Sequence, residues 1–125
     1  MNNLSIVSGI KTPFIDFNAN EGLLEIKGKS IPENAIEFYQ GVYEWLDAYL
    51  LTPNGNTSIT VALEYFNTSS SKCLLDIFRK LETLHKSGKS NVLVNWMYEE
   101  DDEDMMEAGD DYQTIVKIPF NINKL

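Results

Sequence analysis

The feature that most restricts how this chain can fold is a strand, a helix and a second strand in direct succession between residues 57 and 98. Thr57 to Phe66 is dense in Ile, Val, Tyr and Phe, as a central strand requires. Asn67-Thr68-Ser69-Ser70-Ser71 follows, a run of residues that cap helices. Leu74, Leu75, Phe78, Leu81 and Leu84 then recur at helical spacing until Ser87-Gly88 ends the repeat, and Asn91 to Tyr98 is strand-like again. Such a β-α-β unit predicts parallel strands joined by a right-handed crossover. It brings the residues after each strand, Thr68 and Glu99–Asp104, to one edge of the sheet, where α/β proteins usually place their sites.

The flanking segments fit the same architecture. Phe14–Phe17 and Leu23–Lys27 are predicted as a hairpin turning through Asn18-Ala19-Asn20-Glu21-Gly22. Ser30-Ile31-Pro32-Glu33 matches a capping box and predicts a helix to about Leu51, where Thr52-Pro53-Asn54-Gly55 stops it. Glu33, Glu37, Gln40, Glu44 and Asp47 share one side of that helix. Ala35, Ile36, Tyr39, Val42, Tyr43, Leu46 and Leu50 share the other, widened by Phe38, Trp45 and Tyr49. Asp101–Ala108 is predicted helical, ending at Gly109 or running on to Ile115, and Ile118–Ile122 is a last short strand. With 125 residues and 43% hydrophobic side chains the chain suffices for one core, so residues 1–125 are read as one domain with an ordered part from about 12 to 122.

Charge excludes several functions. The net charge is −9, which opposes binding to a phosphate backbone, and nine of the nineteen acids crowd into residues 99–111 without a single Lys or Arg. The remainder is neutral, so the chain is a balanced body carrying one acidic segment suited to a basic partner. One cysteine rules out a disulfide framework and, with no run of apolar residues long enough for a bilayer, predicts a cytoplasmic protein.

Catalytic motifs fail individually. Gly88-Lys89-Ser90 would end a phosphate-binding loop, but Thr83 stands where that motif needs glycine and a strand follows instead of a helix. In the acidic run Asp102 and Asp104 have the first spacing of a calcium loop, yet Met106 occupies the third ligand position. His85 is the only histidine and has no nucleophile at a recognisable spacing, while Cys73 beside Leu74 and Leu75 fits packing better than reactivity. No catalytic, cofactor-binding or metal-binding set is predicted. The four hydroxyls of Thr68–Ser71 exceed what one helix cap uses. Two readings stay open for them: a cap with a polar loop, or a phosphorylation site favoured by the helix dipole, the first-turn amides and Lys72.

Three blocks carry a resemblance: Lys27-Gly28-Lys29-Ser30-Ile31-Pro32-Glu33-Asn34-Ala35, Leu63-Glu64-Tyr65-Phe66-Asn67-Thr68-Ser69-Ser70-Ser71-Lys72, and Asn95-Trp96-Met97-Tyr98-Glu99-Glu100-Asp101-Asp102-Glu103-Asp104-Met105. Through them, and from Thr12 to Ile122, the chain resembles the SiaC family of bacterial regulatory phosphoproteins. The resemblance implies a STAS-like α/β domain, the fold of anti-anti-sigma factors, with helices packed on a mixed sheet. It implies a non-enzymatic partner switch, modified by a SiaB-like protein kinase and a PP2C-like phosphatase of SiaA type. The unphosphorylated form would activate a SiaD-like diguanylate cyclase controlling biofilm formation through c-di-GMP. The modified threonine corresponds to Thr68. The partner surface expected from motif and topology together comprises Asn67, Thr68, Ser69, Ser70, Ser71 and Lys72, with Glu99, Glu100, Asp101 and Asp102. Asn67 in place of an acidic residue, and the lack of a glycine after the hydroxyls, depart from anti-anti-sigma factors and put sigma-factor control in doubt. The alternatives are an enzyme holding Mg²⁺ on the acidic segment, or a constitutive interaction module.

Overall fold

The computed structural model describes residues 1–125. Six strands form one sheet in chain order: β1 (Leu4–Ile6), β2 (Phe14–Asn18), β3 (Leu23–Ser30), β4 (Asn56–Phe66), β5 (Asn91–Tyr98) and β6 (Phe120–Lys124). The first three pair antiparallel, and β3 to β6 are parallel. Helices α1 (Ala35–Tyr49), α2 (Thr68–Ser87) and α3 (Glu103–Ile115) make the three crossovers. Each crossover steps one strand in the same direction, so right-handed connections lay all three helices on one face. The burial alternates accordingly: Ile59, Val61 and Leu63 of β4 and Val92, Val94 and Trp96 of β5 are buried, while Ser58, Thr60, Leu93 and Asn95 between them are partly open.

The α/β class, the mixed sheet, the hairpin and the parallel β4-α2-β5 unit agree with expectation; several boundaries do not. Ser30 does not cap α1. It is the last residue of β3 and fully buried, and the cap is Asn34, whose side chain accepts from the Glu37 amide at 3.1 Å. A capping-box pattern cannot tell a cap from a strand end, because Pro32 and Glu33 suit either. The β3–β4 register shifts between Gly28 and Lys29, where Glu64 of β4 has no partner, and the Gly28 φ of 104° is open to glycine and strained for other residues. Ile36, placed on the core side by periodicity, is exposed. The buried stripe runs Ala35, Tyr39, Val42, Trp45, Leu46 and Tyr49, which leaves Ile36 at its margin.

At the termini, β1 is a strand that the sequence pattern does not predict, and β6 lies two residues later than expected, so the sheet extends beyond residues 12–122 on both sides. Three residues of strand carry too little periodicity to recognise in isolation. The open question in the acidic region resolves as one helix passing through Gly109. That glycine does not end the helix; it lets α3 lie against Trp96, since a Cβ there would stand 2.5 Å from the indole Cδ1. The indole Nε1 donates to the Met105 carbonyl at 2.9 Å, joining α3 to the sheet beneath it.

A candidate phosphoacceptor site at the start of the second helix

β4 outruns β5 and ends at Phe66, opposite Ser30 of β3. Asn67 then turns the chain into α2. Its amide donates to the Ser30 carbonyl at 3.0 Å, its side-chain oxygen accepts from the Ser70 amide at 2.8 Å, and its side-chain nitrogen donates to the Pro32 carbonyl at 3.3 Å. Asn67 is therefore the cap, fixed from both sides.

With the cap supplied by Asn67, the four hydroxyls divide. Thr68, the first helical residue, is exposed, as are Ser69 and Lys72. Ser70 is fully buried, and its hydroxyl accepts from Ser30 Oγ at 2.8 Å; Ser30 in turn lies 2.6 Å from the Tyr39 hydroxyl. Ser71 is half-buried and donates back to the Thr68 carbonyl at 2.7 Å. Ser70, expected on the partner surface, is thus corrected to an internal anchor: hydroxyls from β3, α1 and α2 meet there and satisfy one another. Burial pushes the Tyr39 phenol up to about 12, so it remains neutral at physiological pH. Nothing in the local sequence marks Ser30 and Tyr39 as partners of Ser70, forty residues away from Ser30.

The acidic segment reaches the same edge and is partly structural. Asp102 caps α3, its Oδ1 accepting from the Met105 amide at 3.0 Å, and Glu103 and Asp104 lie in the first turn where the dipole favours negative charge. Glu100 pairs with Lys124 at 3.6 Å, while Glu99 and Asp101 are exposed at the turn from β5. α3 then runs back beside α2, where the Tyr112 hydroxyl donates to the Ser71 carbonyl at 2.8 Å. Burial, before any nearby charge, raises the Tyr112 phenol well above its ordinary value and keeps it a donor. The first turn of α2 is consequently braced by β3 and α1 on one side and by α3 on the other. An exposed hydroxyl on a braced helix start can accept a phosphoryl group without displacing any core atom.

Periodicity misses one exposed apolar residue that borders this site: Ile36 of α1, which lines a groove with Ser69 and Lys72. Its only signal is an apolar side chain at the margin of a helix stripe.

Comparison with known proteins places this arrangement. Residues 6–125 match the family model of the SiaC family regulatory phosphoprotein. A protein of Pseudomonas aeruginosa strain UCBPP-PA14, described only as uncharacterised, is 31% identical over 122 residues, covering 98% of this chain and 96% of the relative. The crystal structure of apo-SiaC from Pseudomonas aeruginosa matches with a TM-score of 0.89 and 31% identity, covering 98% of this chain and 99% of that one. SiaC has also been solved as the activator in complex with the diguanylate cyclase SiaD from Pseudomonas aeruginosa. That match has a TM-score of 0.91 and 30% identity, over 98% of this chain and 99% of the matched chain.

Proposed function

The chain belongs to the SiaC family of regulatory phosphoproteins, and from that premise we propose that it is a partner switch whose state is set by phosphorylation of Thr68. Members of the family are regulators and not themselves enzymes, so the reading in which the acidic segment holds Mg²⁺ for catalysis is set aside. A kinase adds the phosphate, a PP2C-like phosphatase removes it, and the unmodified form binds a cytoplasmic effector. By analogy with the SiaD complex, that effector is a diguanylate cyclase, with c-di-GMP level and biofilm formation as the output.

The observation that carries this reading is the division of the hydroxyls: Thr68 is exposed at the first position of α2, whereas Ser70 is buried in a satisfied network. A partner packed on Thr68 would have to desolvate a charge of about −1.5 to −2 once the phosphate arrives, which costs several kcal/mol unless it offers Arg or Lys. The same charge at a helix N-terminus is neutral to favourable for the fold by roughly 0.3 to 2 kcal/mol. The switch therefore works at the interface. Phosphopeptide mapping after incubation with the cognate kinase should place the label on Thr68 and lose it in Thr68→Ala. Label persisting undiminished in that variant would reject the assignment.

A further inference from the structure

The sheet has two free edges, β1 and β6, and they are guarded differently. β6 follows Pro119 and ends at Lys124, residue types that keep an edge strand from pairing with another chain. β1 has neither, and Met1–Ile10 contain no Asp, Glu, Lys or Arg. The strand is nevertheless fixed from inside: the Asn2 carbonyl accepts from the Trp45 indole at 2.8 Å, and the Asn3 side chain accepts from the Ala19 amide at 3.0 Å. Leu4 and Ile6, opposite Phe17 and Ile15, face the helix side of the sheet and are only half-buried. Beside them an apolar groove runs between β1 and the outer flank of α1, lined by Leu4, Gly41, Glu44, Trp45, Ala48 and Leu51, of which Leu51 is 74% exposed. Gly41 lies in the middle of α1, where glycine is the poorest helix former after proline, and a Cβ there would meet no atom within 4 Å. Nothing inside the chain asks for a glycine at this position, whereas close approach by another backbone does.

We infer that a second copy of this chain covers this flank, its β1 pairing antiparallel with the first across a two-fold axis at Ser5. Leu4 of each copy then stands opposite Ile6 of the other, and the four side chains close over the two grooves. At a net charge of −9 two copies repel, so they can meet closely only where neither presents charge, as along β1. Two carboxylates border the contact. Glu44 lies toward the Met1 end of β1, so antiparallel pairing sets the two Glu44 side chains at opposite ends. Asp16 of β2 is opposite Ser5, and three strand spacings part it from its mate by about 14 Å, beyond the roughly 10 Å over which exposed charges interact at 0.1 M salt. An uncharged edge offers a foreign strand no charge to be recognised by, while it fits its own copy under two-fold symmetry. Because β1 spans three residues, the contact is small and the pair depends on concentration. Thr68 stays free in both copies, since α1 and not α2 borders the groove.

The test is sedimentation equilibrium of the intact chain from micromolar to millimolar concentration, where the mass should rise from one copy toward two. Gly41→Gln fills the groove while improving helix propensity, so it should keep the wild-type circular dichroism spectrum and weaken self-association by about tenfold or more. Leu51→Asp, which changes an exposed side chain, should do the same. Leu23→Asp, exposed in β3 on the face without helices, should associate like the wild type. A wild type that stays monomeric at every concentration would overturn the pairing. So would self-association that survives both groove variants, or self-association that Leu23→Asp abolishes, which would assign the contact to the open face of the sheet.

Discussion

At the scale of single residues, two substitutions that look benign in the sequence should be costly. Gly109→Ala ought to stabilise a helix by up to about 1 kcal/mol on propensity alone. Here the added methyl would lie 2.5 to 2.8 Å from three atoms of the Trp96 ring, and Trp96 is fully buried among Phe66, Phe78 and Tyr112. Overpacking of this kind costs about 1–3 kcal/mol, so urea unfolding should show a net loss of stability. Ser30→Ala removes the oxygen that joins the Tyr39 and Ser70 hydroxyls. A buried polar group left without its partner costs about 1–3 kcal/mol. The same substitution at a helix cap would cost about 1 kcal/mol and would not affect Tyr39. A loss in the upper range, restored in part by Tyr39→Phe in the Ser30→Ala background, would distinguish the buried network from a cap.

Between elements, the connection from α3 to β6 depends on one carboxylate. Glu82 of α2 is buried; its Oε2 accepts from the Lys117 amide and its Oε1 from Arg79 at 3.1 Å. The Lys117 hydrogen bond holds the carboxyl below the usual carboxylate range. Burial opposes this, and Arg79 and Lys86 assist it. A carboxylate with a lowered folded-state pKa contributes stability that is complete above its unfolded value of about 4.3 and is lost as pH falls through the folded value. Unfolding midpoints in urea should therefore drop on acidification below pH 4.3 in the wild type. Glu82→Gln, which cannot ionise, should start about 1.5–3 kcal/mol less stable at pH 7 and show a shallower acid dependence. Equal acid slopes for the two proteins would show that the stabilising carboxylates lie elsewhere. Because Glu82 fastens the end of α3, and α3 braces Ser71 through Tyr112, this contact also supports the start of α2 at a distance.

Taken whole, the molecule concentrates charge and the candidate acceptor on one edge of a sheet whose helices all lie on one face. The acidic run is expected to steer basic partners toward that edge, since exposed charges interact over about 10 Å at 0.1 M salt. Replacing Asp101, Asp102 and Asp104 by Asn and Glu103 by Gln keeps the α3 cap, for which Asn serves as well as Asp. Association with the cognate kinase, followed by stopped flow, should slow in this variant, and the difference should fade as salt rises. Association rates equal to the wild type at low salt would leave the run with a structural role only.

The sequence by itself determined every element but β1, and their order. The β4-α2-β5 unit, the parallel pairing and the hydroxyl-rich helix start were legible because hydrophobic period and capping chemistry are local properties, written within a few residues. Three long blocks also pointed to the family. Tertiary structure alone decided which hydroxyl is free. Thr68 and Ser70 are two residues apart in one motif, yet one is exposed and the other is buried against Ser30 and Tyr39. The capping-box pattern at Ser30 misleads for the same reason, as the serine answers to hydroxyls of α1 and α2 and not to its neighbours. Whether α3 ends at Gly109 or runs through it stays open until Trp96 supplies the close approach, and Ile36 reads as core although the buried stripe of α1 leaves it at the margin. Burial depends on what the rest of the chain brings alongside, and a motif does not contain that information.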